Sequence, residues 1–226
     1  MKGIYITGTD TGIGKTYASV ALLHALRIHG LKVAGMKPVA SGCERIRGEW
    51  RNGDALALQS ASDASPRYAD VNPYALPAAT APEIAAHDAG VGIGLPLIDA
   101  AYRALHLQSD IVVVEGVGGW AAPLSSTLDQ CDVVRALDVR VVLVIGLRLG
   151  CINHARLTAR AMEADGISMA GWVVNAVDPH MTDRAAYVEL LRLRIAAPCL
   201  GRLPHLAPDR LAGTLAGYYA LDALLN

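Results

Sequence analysis

Apolar residues collect in short, nearly unbroken stretches at 3–6, 32–36, 111–114, 139–145 and 170–174, with a weaker one near 198–200. Each is the length of a strand. Continuous rather than alternating hydrophobicity marks strands covered on both faces, as in parallel sheets. Between them, apolar positions recur at helical spacing over 15–29, 54–62, 95–107, 129–137, 153–165 and 183–194, and a last helix is expected from Arg210 onward. Gly or Asp/Asn turns join most strands to the helices that follow. This alternation predicts an α/β fold: one doubly wound, mostly parallel sheet with helices on both faces, in a single domain of residues 1–226. The stretch 65–94, rich in Pro, Ala and Asp, is the least regular and is expected to cover a site or lengthen a connection. No motif is evident after Pro208.

Ligands of such sheets bind beyond the carboxyl ends of the strands. The residues that follow the apolar runs are polar almost every time: 7–16, 37–41, 115–119, 150–153 and Asn175. The first of these, Thr7-Gly8-Thr9-Asp10-Thr11-Gly12-Ile13-Gly14-Lys15-Thr16, joins a strand to a helix and reads as a phosphate-binding loop. Its glycines let backbone N–H groups close on phosphate oxygens at a helix N-terminus. Lys15 would pair with the outer phosphates and the Thr16 hydroxyl would ligate Mg2+. Five residues separate Gly8 from Gly14, one more than the usual loop.

A loop of this kind needs a carboxylate at a buried strand end to hold the metal. Glu115 follows an all-aliphatic run and stands where Asp is usual, and Gly116, Gly118 and Gly119 beside it suit close approach to a ligand. Asp54 is a second metal candidate, and its place before Ala55-Leu56-Ala57-Leu58 equally fits a helix N-cap. Lys37 precedes Pro38, which biases it to an extended conformation at a strand tip, where a lysine is either solvated or catalytic. Asn175 either reads a base edge or bonds the next turn.

Composition narrows the function classes. Hydrophobic residues make up 53% and charged residues 18%, which excludes a disordered chain. Lys plus Arg number 20 against 21 for Asp plus Glu, so no cationic surplus is available for nucleic-acid binding. No apolar run is long enough for a membrane span and no signal-peptide layout is present. The four cysteines are widely spaced, without a paired metal or redox motif, and the expected location is cytoplasmic.

Taken together, the chain resembles the dethiobiotin synthetase family. The resemblance is carried by 7–16, Lys37-Pro38-Val39-Ala40-Ser41-Gly42, Arg51-Asn52-Gly53-Asp54-Ala55-Leu56, Val71-Asn72-Pro73-Tyr74, 114–120, 149–154 and 171–175, in family order across essentially the whole chain. The longer phosphate loop is itself a trait of that family. The resemblance implies an ATP-dependent cyclo-ligase of biotin biosynthesis. Its substrates are 7,8-diaminononanoate (7,8-diaminopelargonate), CO2 and ATP, its metal is Mg2+, and its products are dethiobiotin, ADP and phosphate. One amine takes up CO2 as a carbamate, which attacks the γ-phosphate to give a carbamic–phosphoric anhydride, and the second amine then closes the ring.

Carried over by position, the resemblance implies Lys37, Lys15 and Thr11 as catalytic residues and Thr16, Asp54 and Glu115 as Mg2+ ligands. It assigns ATP to Gly12, Ile13, Gly14, Lys15, Thr16 and Tyr17 together with Gly116, Val117 and Gly118. Asn175 and Ala176 would meet the adenine, with Pro204, His205 and Leu206 as the opposite wall. Ser41, Gly150, Cys151 and Asn153 would bind the diamine, with Tyr187 contributed by the neighbouring subunit of a homodimer. Asn153 also suits an ordinary N-cap, and Cys151 a small packed residue. Gly12 departs from the family, several members of which have Glu there. The alternative is a P-loop switch ATPase of the partitioning type. Those proteins carry a further lysine early in the loop, where this chain has Thr9, Asp10 and Thr11.

Overall fold

The computed structural model describes residues 3–205 and 216–225. In chain order the elements are β1 (Gly3–Gly8), α1 (Lys15–Ile28), β2 (Val33–Met36), β3 (Val39–Ala40), β4 (Glu44–Ile46), β5 (Glu49–Arg51), α2 (Gly53–Ser60), α3 (Tyr68–Val71), β6 (Tyr74–Ala75), α4 (Pro82–Asp88) and α5 (Leu95–His106). They continue with β7 (Ile111–Glu115), α6 (Gln130–Leu137), β8 (Arg140–Gly146), α7 (Cys151–Ala164), β9 (Met169–Asn175), α8 (Arg184–Arg194), β10 (Cys199–Leu203), a 3-10 turn at Ala216–Tyr218 and α9 (Asp222–Leu225).

Six strands form one parallel sheet in the order β10-β9-β8-β1-β7-β2. The unbroken apolar runs are explained by burial on both faces. Val142 and Val144 of β8 join the main core, while Leu143 and Ile145, alternating with them, join a second core with Trp172, Cys151, Ala155, Val188 and Leu191. The chain leaves β1 toward β2 and leaves β7 toward β8 on the other flank of β1. The crevice at the carboxyl ends of β1 and β7 is therefore the topological switch point, where open α/β sheets bind ligands.

Several boundaries differ from the sequence expectation. β1, β7, β8 and β9 run on to Gly8, Glu115, Gly146 and Asn175, because ladder hydrogen bonds continue past the last apolar side chain. α7 begins at Cys151 with Gly150 at its N-cap, in left-handed conformation, so Asn153 lies inside the helix and is not its cap. The 65–94 stretch is more regular than its composition suggests: it holds α3, β6 and α4, and β6 pairs with β3 in parallel (Val39↔Tyr74, Ala40↔Ala75). The exposed hairpin β4–β5 is also new, with Arg45 over the Trp50 ring. Leu206 and residues 210–215 of the helix expected from Arg210 onward lie outside the described residues. Over 216–225 the chain forms the 3-10 turn and the short α9 in place of one continuous helix.

Candidate active site

The loop between β1 and α1 closes around its own lysine. Lys15 is buried, and its Nζ donates to the Asp10 carbonyl at 2.8 Å. Burial, and then the Lys37 ammonium nearby, pull the Lys15 pKa down from 10.5 to about 8, against the opposing pull of Glu115, Asp54 and Asp10. The Asp10 carboxylate accepts from the Thr11 backbone N–H at 2.7 Å and from Arg148 at 2.5 Å. These partners, the Thr11 N–H foremost, hold its pKa below the usual range. Gly14 sits at φ 82°, and a Cβ there would lie 2.1 Å from Asn175 Nδ2, so only glycine fits.

The second charge centre spans three strand and helix ends. Glu115, at the end of β7, is 1% exposed, and its Oε1 accepts from Lys37 Nζ at 2.6 Å and from the Thr16 hydroxyl at 3.0 Å. Lys37, just past β2, is also buried and donates further to the Gly116 carbonyl at 3.2 Å. Its Nζ lies 3.3 Å from Asp54 Oδ2. Burial disfavours the Lys37 ammonium, but Glu115 and then Asp54 outweigh it through charge and hydrogen bonds, and the pKa is raised. The two buried lysines thus titrate in opposite directions.

Asp54 is not the helix cap. Asn52 takes that place, its Oδ1 accepting from the Asp54 and Ala55 backbone N–H groups at 3.0 and 3.2 Å. The Asp54 carboxylate is left half-exposed and turned to Lys37. Thr16, Asp54 and Glu115 offer a set of oxygen donors, and Glu115 Oε2 is buried with no hydrogen-bond partner among the described residues. A hard divalent cation of the Mg2+ kind suits such a set, with phosphates and waters completing its shell.

These side chains share a cavity of about 800 Å3, lined also by Thr11, Gly12, Gly14, Ser41, Val117 and Gly118. Ala79, Thr80, Ala81 and Pro82 form part of its wall, so the irregular-looking stretch does cover the site. A second cavity of about 490 Å3 shares Gly12, Gly14, Thr16 and Asp54 with the first and continues to Tyr17, Asn175, Ala176, Pro204 and His205. Asn175 Nδ2 donates to the Ile13 carbonyl at 2.9 Å, which fastens the phosphate loop to the end of β9. His205 Nδ1 lies 2.9 Å from the Ala176 carbonyl.

Four expected residues stand apart. Gly150, Cys151, Asn153 and Tyr187 line neither cavity. Cys151 is buried in the second core, which pushes its thiol pKa up, and Tyr187 packs partly buried against that core. Gly116 lines neither cavity, its carbonyl being taken by Lys37. Ile13 is buried and contributes its backbone.

Sequence reasoning missed a brace beneath the glycine loop. Gln130 is wholly buried; its Nε2 lies 3.0, 2.5 and 3.2 Å from the Val117, Gly119 and Trp120 carbonyls, which share its two hydrogens, while its Oε1 accepts from Tyr5 at 2.9 Å. A lone glutamine opening an amphipathic helix carries no signal of that role.

The strand, glycine loop and helix around Lys15, at the switch point of a six-stranded parallel sheet, define a P-loop nucleotide-binding protein. The AAA domain family model matches residues 2–208. The structure is similar to the MinC:MinD cell division protein complex of Aquifex aeolicus (TM-score 0.57, 18% identity, 100% of this chain and 89% of that one). It is likewise similar to a ParA family ATPase from Chlorobium tepidum (TM-score 0.57, 14% identity, 100% and 93%). At such identities the likeness is one of fold. In sequence the chain is 62% identical to the ATP-dependent dethiobiotin synthetase BioD of Xanthomonas oryzae pv. oryzae, over 94% of each. It is 56% identical to that of Xylella fastidiosa, over 96% of each. The chain belongs to the dethiobiotin synthetase family.

Proposed function

We propose that this protein carries out the ATP-dependent carboxylation and ring closure of 7,8-diaminononanoate with CO2 to dethiobiotin, a ligase step of biotin biosynthesis, acting as a single domain in the cytoplasm. Family membership supports the reaction, and its relatives' names supply the ATP dependence. The observation that carries the site assignment is the convergence of Lys15, Lys37, Thr16, Asp54 and Glu115 on one cavity that opens into a second, less polar one. Among the described residues no helix is long and apolar enough to cross a membrane.

The chemistry follows from that arrangement. One amine of the substrate adds to CO2 and loses a proton to give a carbamate. A carbamate oxygen attacks the γ-phosphorus, the bond to ADP breaks, and a carbamic–phosphoric anhydride results. The second amine attacks the anhydride carbonyl, phosphate leaves, and a proton is released as the ureido ring closes. Phosphoryl transfer asks the protein for positioning and charge neutralisation. Lys15 and the backbone N–H groups of Gly12, Ile13, Gly14, Thr16 and Tyr17 would hold the phosphates, with Gly116, Val117 and Gly118 opposite. Lys37, kept protonated by its carboxylate partners, would meet the carbamate and γ-phosphate oxygens, with Thr11 and Ser41 as hydrogen-bond partners. Thr16, Asp54 and Glu115 would hold Mg2+, which when bound neutralises charge on the phosphates. Asn175, Ala176, Pro204 and His205 would enclose the adenine in the second cavity, and Leu206 belongs to the same proposed wall.

The four residues that stand apart, Gly150, Cys151, Asn153 and Tyr187, fit a homodimer. Gly150, Cys151 and Asn153 at the start of α7 would present backbone N–H groups to the substrate carboxylate of a neighbouring site, with Tyr187 beside them. Leu149, Leu157, Leu190 and Leu193 on and beside α7 and α8 are exposed, an apolar surface suited to a second copy.

A mass-spectrometric assay with MgATP, bicarbonate and 7,8-diaminononanoate, each omitted in turn, tests this reading. Dethiobiotin with stoichiometric ADP is expected only in the complete mixture. Lys37→Ala should lower turnover by roughly 100- to 1000-fold, the usual loss of one charge-stabilising donor, while nucleotide binding persists. ATP hydrolysis independent of the diamine, without ureido product, would point instead to a switch ATPase.

A further inference from the structure

Two of the sequence motifs, Arg51-Asn52-Gly53-Asp54 and Val71-Asn72-Pro73-Tyr74, contain asparagines for which the proposed reaction supplies no use. One continuous hydrogen-bond chain joins them. Asn72 is 3% exposed, and its Nδ2 donates to the Lys37 carbonyl at 2.7 Å and to the Tyr74 carbonyl at 3.2 Å. Its Oδ1 accepts from the Tyr68 hydroxyl at 3.0 Å. The Tyr68 oxygen in turn accepts from the Asn52 backbone N–H at 2.7 Å. Asn52 then caps α2 through Oδ1, next to Asp54, and donates from Nδ2 to the Ser41 carbonyl at 3.4 Å.

Every group in this chain is used in a consistent direction. The one hydroxyl hydrogen of Tyr68 goes to Asn72, and a lone pair of the same oxygen receives Asn52. Burial foremost raises the Tyr68 pKa, so the hydroxyl keeps that hydrogen. The ring is held from the other side by Arg51, whose guanidinium carbon stands 3.9 Å from its centroid. The backbone reinforces the contact: Lys37 N donates to Val71 O at 2.7 Å, Tyr74 N to Pro38 O at 3.1 Å and Leu76 N to Ala40 O at 2.8 Å.

Lys37, Ser41 and Asp54 reach the cavity from three different places in the chain: the end of β2, the end of β3 and the first turn of α2. No single element fixes their spacing, yet Lys37 and Asp54 meet at 3.3 Å. We propose that Asn52, Tyr68 and Asn72 are positioning residues that set Lys37, Ser41 and Asp54 relative to one another for the reaction, with the Tyr68 hydroxyl as the junction. This rests on the assignment of Lys37 to catalysis. A displacement of about 1 Å at a reacting group is enough to cost two orders of magnitude in rate.

Tyr68→Phe removes the junction and keeps the ring and its Arg51 contact. Asn72→Ala removes the link to Lys37 by a different route. Tyr102→Phe is the control, because that buried hydroxyl has no partner among the described residues and lies outside both cavities. On the full chain, kcat, the KM values for ATP and diamine, and the folded fraction by circular dichroism are measured at one temperature. Tyr68→Phe is expected to lower kcat roughly tenfold with the KM for ATP within about twofold and the chain fully folded. Asn72→Ala should do the same or more, and Tyr102→Phe should match wild type. A Tyr68→Phe enzyme within about twofold of wild-type kcat overturns the positioning role, as does a loss that only tracks the folded fraction. If Tyr68→Phe does not fold, Asn72→Ala decides by the same criteria. Wild type that makes dethiobiotin, with Lys37→Ala inactive and Tyr68→Phe unchanged, leaves the functional reading standing and removes only the positioning. Wild type that makes none overturns both.

Discussion

At the scale of single residues, the site is organised by two buried lysines whose surroundings differ. Lys37 is flanked by two carboxylates and stays charged, whereas Lys15 is buried beside another cation and its pKa falls to about 8. The unfolded chain holds the Lys15 proton up to its ordinary 10.5. Between these values the unfolded state binds more protons, so this group's contribution to ligand-free stability is lowest below pH 8 and grows as pH rises toward 10.5. A polyphosphate beside Lys15 reverses the balance by favouring the ammonium. Nucleotide binding between about pH 8 and 9 should therefore take up a fraction of a proton, read by calorimetry in buffers of different ionisation enthalpy. Lys15→Met should abolish the uptake, and equal binding heats across buffers for wild type would refute it. Lys15, Thr16 and Glu115 were legible because strand, loop and helix order places them. Asp54 was ambiguous, since cap and ligand carboxylates look alike before a helix, and the structure separates them by giving the cap to Asn52.

At the scale of elements, the loops after β2 and β7 are held by amides, not by their own sequence. Asn72 donates to the Lys37 and Tyr74 carbonyls, and Gln130 faces those of Val117, Gly119 and Trp120. Gln130→Ala leaves several buried carbonyls and the Tyr5 hydroxyl unpaired and opens a cavity, and should cost on the order of 3 kcal/mol. Tyr5→Phe strips one hydrogen bond and should cost about 1 kcal/mol. Denaturant unfolding of both variants checks the order, and a Gln130→Ala loss no larger than that of Tyr5→Phe would remove the brace. The core strands were readable from their unbroken apolar runs. The two-residue strands β3 and β6 were not, because two residues carry no periodicity and their pairing joins segments far apart in the chain.

At the scale of the whole molecule, the parallel sheet gathers the carboxyl ends of β1, β2, β7 and β9 on one side, and the two adjoining cavities open there. The start of α7 and Tyr187 lie outside those cavities, and in the proposed homodimer they would serve a neighbouring subunit. Mixed dimers of Lys37→Ala and Tyr187→Ala subunits should then regain up to about a quarter of wild-type activity, since random pairing makes half the dimers mixed and each holds one intact site. No recovery after subunit exchange would argue for sites complete within one chain.

The sequence by itself determined the strands of the six-stranded sheet, the phosphate loop, its lysine and threonine, and the acidic strand end. All of these follow from local periodicity and from the geometry that a strand, a glycine turn and a helix impose. Tertiary structure alone decided that Lys37 pairs with both Glu115 and Asp54, and that Tyr68 and Gln130 tie distant loops to the sheet. Those outcomes depend on which strand ends become neighbours. Hydrogen bonds across tens of residues leave no imprint in the local pattern of either partner.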